Sequence, residues 1–132
     1  MALTGVRVRT KFEGQRVKAR TREGTFKSLG HAGGAIRLTA KRSIRKRKKA
    51  GDPGHPPHTR DGRLRNAIAY AVEKDKQRVV IGPESDKVGT SGRAHEFGGR
   101  YKREKFPKRP FMRPALDKLQ DRLPPMWANS IQ

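Results

Sequence analysis

The sequence predicts an α+β domain: a small, mostly antiparallel sheet made of an N-terminal strand and a β-hairpin, covered by two amphipathic helices, with long flexible loops. Three observations predict it. Apolar residues alternate near the N-terminus and again in mid-chain. They recur every three or four positions in two other stretches. The segments between are dense in glycine, proline and charge. The order strand, helix, hairpin, helix puts the helices on one face of the sheet. The chain has 132 residues, which suits one domain over 1–132.

In "GVRVRTKF", Val6 and Val8 fall on one side with Thr10, and Arg7, Arg9 and Lys11 on the other, the period of a half-buried strand. The polar stretch "EGQRVKARTREG" reads as a mobile connection, so that residues 1–25 form a strand and a linker. From Phe26 the period changes: Leu29, Ala32, Ile36, Ala40 and Ile44 mark one face of a helix. Gly30, Gly33 and Gly34 weaken its early turns, each by about 1 kcal/mol against alanine, and small residues there also permit close approach of another backbone. The cationic end "KRSIRKRKKAG" suits the negative pole of the helix dipole, with Gly51 as the stop. Residues 52–62 are a proline- and glycine-rich loop. "RLRNAIAYAVE" and "RVVIGP", joined by "EKDKQ", form the hairpin, with Leu64, Ile68, Tyr70 and Val72 on a common face. Residues 83–93 form a second loop. Met112, Leu116, Leu119 and Leu123 mark the last helix, opened by Pro110 or Pro114 and stopped by Pro124 and Pro125, with Trp127 anchoring the tail.

Lys and Arg number 33 against 12 Asp and Glu, a formal net charge of +21. Such a chain repels itself unless something anionic offsets the charge, and nucleic acid is the first class of partner, an acidic protein surface the second. With no cysteine, disulfides and thiolate metal sites are excluded. No apolar run approaches the roughly 18 residues of a membrane span, and none suits a signal peptide. A reducing cytoplasm, or a particle assembled there, is the expected setting.

The basic run Lys41, Arg42, Arg45, Lys46, Arg47, Lys48 and Lys49 is the candidate nucleic-acid contact. Phosphate contacts demand charge rather than fixed geometry, and the alternative is a solvated helix face at the edge of an assembly. No aromatic residues interleave with these cations, so no single-strand stacking platform is expected. His31, His55, His58 and His95 form no recognised metal spacing with Asp52, Asp61 or Glu96. The few scattered acids and the absence of a nucleophile motif argue against catalysis. Arg63 and Arg65 flank Leu64 and read as surface charge or as interface arginines capable of bidentate contacts.

The segment "AHEFGGRYKREKFPKRPFMRPAL" stands apart from the charge runs. "EFGG" supplies an acid, an aromatic ring and two residues free to take positive φ. "FPKRPFMRPAL" alternates rigid prolines with apolar residues, a pre-shaped entry into the last helix. Here the chain resembles the tail-completion (neck, head-to-tail joining) proteins of long-tailed bacteriophages. These carry a basic helix, a loop into "D-T-G-R-L-R-x-S-I", a hairpin, "E-F-G-T" or "E-F-G-G", and "P-x-R-P-F-[LM]-R-P-A-L". The matching pieces are "RDGRLRNAI" at 60–68, "HEFGG" at 95–99 and "FPKRPFMRPAL" at 106–116. The resemblance spans about Phe26 to Leu123, and the last motif is the specific one. Arg60 and Asp61 stand where the family usually has Asp and Thr, and Ala67 where it usually has Ser. The resemblance implies a structural virion protein without cofactor, forming a homo-oligomeric ring, commonly of six subunits, between tail and head connector. Its partners would be copies of itself, a tail tube or terminator protein, the connector and the DNA passing through. Its places would be the host cytoplasm during assembly and then the virion neck. The interface candidates are Arg63, Arg65, Glu96, Phe97, Arg109, Phe111 and Arg113. The alternative reading is a basic, non-sequence-specific nucleic-acid-binding protein.

Overall fold

The computed structural model describes residues 5–9 and 15–128. The predicted class is the one observed: mixed helix and strand around a three-stranded antiparallel sheet. Strand β1 (Val6–Arg9) is followed by helix α1 (Gln15–Ser43). A two-residue strand β2 (Arg45–Lys46) pairs in parallel with β3 (His58–Thr59). A single turn, α2 (Arg63–Ala67), leads into β4 (Ile68–Glu73) and β5 (Arg78–Pro83). Short helices α3 (Ser85–Val88) and α4 (Ser91–Phe97) precede a hairpin of β6 (Gly99–Tyr101) and β7 (Glu104–Phe106). Helix α5 (Met112–Leu119), a 3-10 turn (Gln120–Arg122) and α6 (Pro125–Ala128) complete the order.

The main sheet runs β1-β5-β4, so β5 is central and paired on both sides, Val6 opposite Ile81 and Ile68 opposite Pro83. The unbroken apolar run "RVVIGP" fits that place, because β5 is buried along its whole length. The predicted face of α1 is the core: Leu29, Ala32, Ile36, Ala40 and Ile44 are at most 1% exposed. That face packs on β4 and β5, and α5 packs beside it through Met112, Ala115 and Leu119.

Five local expectations are corrected. Residues 15–24 are helical, not a linker, because Gln15, Lys18, Ala19 and the arginines there are good helix formers despite their polarity. At its other end the helix stops at Ser43, and the run from Arg45 is extended because its backbone pairs with the 58–59 strand; Gly51 is therefore not its stop. The hairpin begins at Ile68, not in the "RLRNA" turn. Thr59 Oγ1 accepts the Gly62 N–H at 3.0 Å and Asp61 Oδ1 accepts the Arg63 N–H at 3.0 Å, and such side-chain acceptors start a helical turn. Leu64 is thus buried from a helix rather than a strand. The 83–93 segment is mostly the helices α3 and α4 rather than a loop. The tail after Pro124 continues as α6, where the Met126 carbonyl accepts the Ser28 hydroxyl at 2.8 Å and Trp127 packs on the core. Thr10 and Lys11 of the first predicted strand lie outside the described residues.

The glycines of α1 divide into two kinds. A Cβ on Gly33 would stand 2.8 Å from both Tyr70 Cδ2 and Val79 Cγ2, whereas one on Gly30 would meet nothing within 4 Å. The helix approaches the sheet at Gly33, and the fully buried Val79 has no room to yield. Gly30→Ala is expected to stabilise by about 0.5–1 kcal/mol through helix propensity and chain entropy. Gly33→Ala is expected to destabilise by a net ~1–2 kcal/mol, since overpacking outweighs the same propensity gain. Urea denaturation of the two variants checks the opposite signs; equal shifts would mean that helix and sheet are not in close contact here.

Candidate functional site

Helix α5 begins at Met112 with Phe111 at its N-cap. Phenylalanine offers no oxygen, so the first backbone N–H groups of the helix have no local acceptor. The acceptor comes from α4. Glu96 Oε2 accepts the N–H groups of Phe111 (2.8 Å) and Met112 (2.9 Å), and Oε1 accepts that of Arg113 (2.9 Å). One carboxylate therefore meets three amides at the positive end of a helix, where negative charge is favoured. The chain between Glu96 and Phe111 must return on itself. Gly98 (φ 74°) and Gly99 (φ 130°) make the first bend, in a region that side-chain-bearing residues avoid. The β6–β7 hairpin makes the return. "HEFGG" and "RPFMRPAL" are consequently two halves of one capped unit.

The same unit fastens the proline-rich loop. The Arg109 N–H donates to the His95 carbonyl at 2.6 Å, and Arg109 Nε donates to the Gly51 carbonyl. The Gly54 N–H donates to the Lys108 carbonyl at 2.8 Å. His95 packs against Phe106 with ring centroids 4.8 Å apart. Its burial, and then the charge of Arg109, push its pKa down to about 4, so the ring is neutral at pH 7.

The sequence-predicted interface residues therefore separate. Phe111 is fully buried in the chain's own core, and Glu96 is committed to the cap, so neither is displayed to a partner in the manner expected. Arg109 is half-buried and ties the chain to itself. Phe97 remains outward and is 63% exposed. Arg63, Arg65 and Arg113 are exposed, Arg63 paired with Asp61 at 3.2 Å and Arg113 with Asp117 at 3.1 Å. Within the basic run, Lys41 is half-buried, while Arg42 and Arg45 to Lys49 are exposed. The role of Glu96 is missed by local reading, and the signal for it is an absence: no Ser, Thr, Asp or Asn precedes Met112 to cap the helix.

The histidines do not assemble into a metal site among the described residues. His58 Nδ1 lies 2.9 Å from the Lys49 carbonyl and His95 sits behind Phe106. Among the described residues, no group of three or more His, Cys, Asp or Glu is placed to hold a metal ion. No helix among them is long and apolar enough to cross a membrane. Comparison with protein families, curated proteins and solved structures finds no match to this chain.

Proposed function

We propose that the chain is a structural protein of the bacteriophage head–tail junction, completing the tail and joining it to the head connector as a homo-oligomeric ring. The observation that carries the reading is the ordered motif set "GRLR", "HEFGG" and "PKRPFMRPAL" of the tail-completion proteins. The Glu96 cap supports it by giving the order a physical reason. An acid near the end of α4 and a helix that Phe111 caps belong to the same shaped element, and a ring subunit needs such rigid elements to hold head-to-tail contacts between identical chains. Phe97, Arg63, Arg65 and Arg113 are the outward-facing residues of the proposed interface. A subunit carrying +21 enters a ring only where acidic neighbours, DNA or counter-ions screen it. The alternative, a free-standing nucleic-acid-binding protein without sequence preference, is favoured by the positive charge alone.

Deletion of the gene in the phage or prophage that encodes the chain tests the first reading. Expected in the lysate are DNA-filled heads and separate tails, with joined, infectious particles restored by added purified protein. Folded Phe97→Ser protein should restore fewer. Complete virions from the deletion strain would overturn the joining role.

A further inference from the structure

An open groove of about 660 Å³ lies where three distant parts of the chain meet. It is lined by Arg42 from the last turn of α1, Arg45 from β2, His55 and His58 from the proline-rich loop, Lys118 of α5 and Arg122 of the 3-10 turn. Among the described residues, its lining contains no carboxylate and no Phe, Tyr or Trp. Arg42, Arg45, Lys118 and Arg122 are all exposed, and none pairs with a carboxylate among the described residues. The floor is fixed rather than pliant: β2 pairs with β3, the His58 ring meets the Lys49 carbonyl, and the loop is tied to the 108–109 segment.

We infer that this groove is a binding site for the phosphate backbone of duplex DNA. Four unpaired cations around one depression concentrate positive potential, and groove walls of low dielectric focus it further. The space exceeds what a single phosphate fills and suits a run of backbone, and the exposed cations from Arg45 to Lys49 continue on from Arg45 of the groove. An acidic protein partner fits less well, because protein interfaces centre on aromatic and large apolar anchors, and among the described residues this lining holds only Pro56 and Leu119 of apolar kind, with no aromatic ring. Single strands fit less well too, because they are held by stacking on aromatic rings. Base edges find no shaped readers here, so the contact is independent of sequence. Lys118 of α5 and Arg122 of the following 3-10 turn, four positions apart, are as much part of the site as the Lys41–Lys49 run, although 68 residues of chain lie between Lys49 and Lys118. The site stands on its lining alone and holds whichever assembly the chain enters.

The test is titration of the full chain into a fluorescent duplex of roughly 20 bp, in salt from about 50 to 200 mM. Wild type should bind with log K falling linearly against log salt. Lys118→Gln/Arg122→Gln and Arg42→Gln/Arg45→Gln should each weaken binding about tenfold or more and reduce the slope by about 2, near one per lost phosphate contact. Arg100→Gln/Lys105→Gln, a cross-strand pair on the β6–β7 hairpin, removes the same charge away from the groove and should change both much less. Equal losses in groove and hairpin variants would overturn the site, since binding would then be diffuse. So would tighter binding of a single strand than of the duplex, or capture of poly-glutamate with no duplex binding at the upper salt. Because this readout is direct binding, its failure leaves the head–tail joining experiment unaffected.

Discussion

Phe111→Ala should lower stability by about 3–5 kcal/mol, the range for removing a fully buried aromatic ring. Phe111 has no exposed surface and belongs to the same apolar cluster as Leu29, Ile36, Ile81 and Met112. The void beside it, lined by Pro83, Gly92, Glu96 and Met112 among others, is about 10 Å³, so the ring already fills its site. Alanine would leave a cavity there, and the neighbours have little freedom to close it: a Cβ on Gly92 would stand 2.3 Å from Pro83 Cγ, so that contact is already tight. Domains of this size are stable by only about 5–15 kcal/mol, so the variant should sit near the edge of folding. Urea denaturation should show a lower midpoint with little change in slope. A loss under about 1 kcal/mol would show that Phe111 is not a core residue. For the same reason, failed particle joining in a Phe111 variant says nothing about an interface, and Phe97 is the fairer probe.

Glu96→Ala should cost about 3 kcal/mol, because it strips the acceptor from three amides at once. Hydrogen bonds to a charged group are each worth about 1.5–3 kcal/mol, and the three share one carboxylate and do not add. Glu96→Gln should cost less, since the amide oxygen still accepts, but it loses the charge that favours the helix N-terminus. Hydrogen exchange separates this cap from a merely distant effect. The amides of Phe111, Met112 and Arg113 should lose protection in Glu96→Ala before those of β5 do. Unchanged protection at those three amides would remove the cap from the account. Glu96 and Phe111 lie on one unit, so the double variant should cost less than the sum of the single ones.

The parts of this fold that depend on neighbours in the chain were readable from residue spacing. The core face of α1, the buried run of β5, the turn between the hairpin strands and the apolar face of α5 all follow from side chains repeating with the period of their own element, and the first strand was readable in the same way. Positive φ at Gly98 and Gly99 was readable for the same reason, since the preference belongs to glycine itself. Where polarity was taken for a mobile connection, the reading failed, since residues 15–24 are polar yet helical; the Lys102–Arg103 turn, which no local signal marks, takes left-handed φ of 48° and 68° without glycine or asparagine. Such residues tolerate that conformation at a cost of about 1–2 kcal/mol each, which the flanking strand pairs offset, so composition gave no warning of the β6–β7 hairpin.

Spacing therefore dictated the class of fold and the faces that are buried, and composition the excess of positive charge. It could not decide which backbone Glu96 caps, that Phe111 turns inward while Phe97 turns out, or that Lys118 and Arg122 meet Arg42 and Arg45 across a groove. Those facts join positions 15 or more residues apart, as Glu96 and Phe111 are. A side chain's periodicity records only the helix or strand it belongs to. Which carboxylate reaches an uncapped helix, and which cations are left to face one another, follows from how the elements pack.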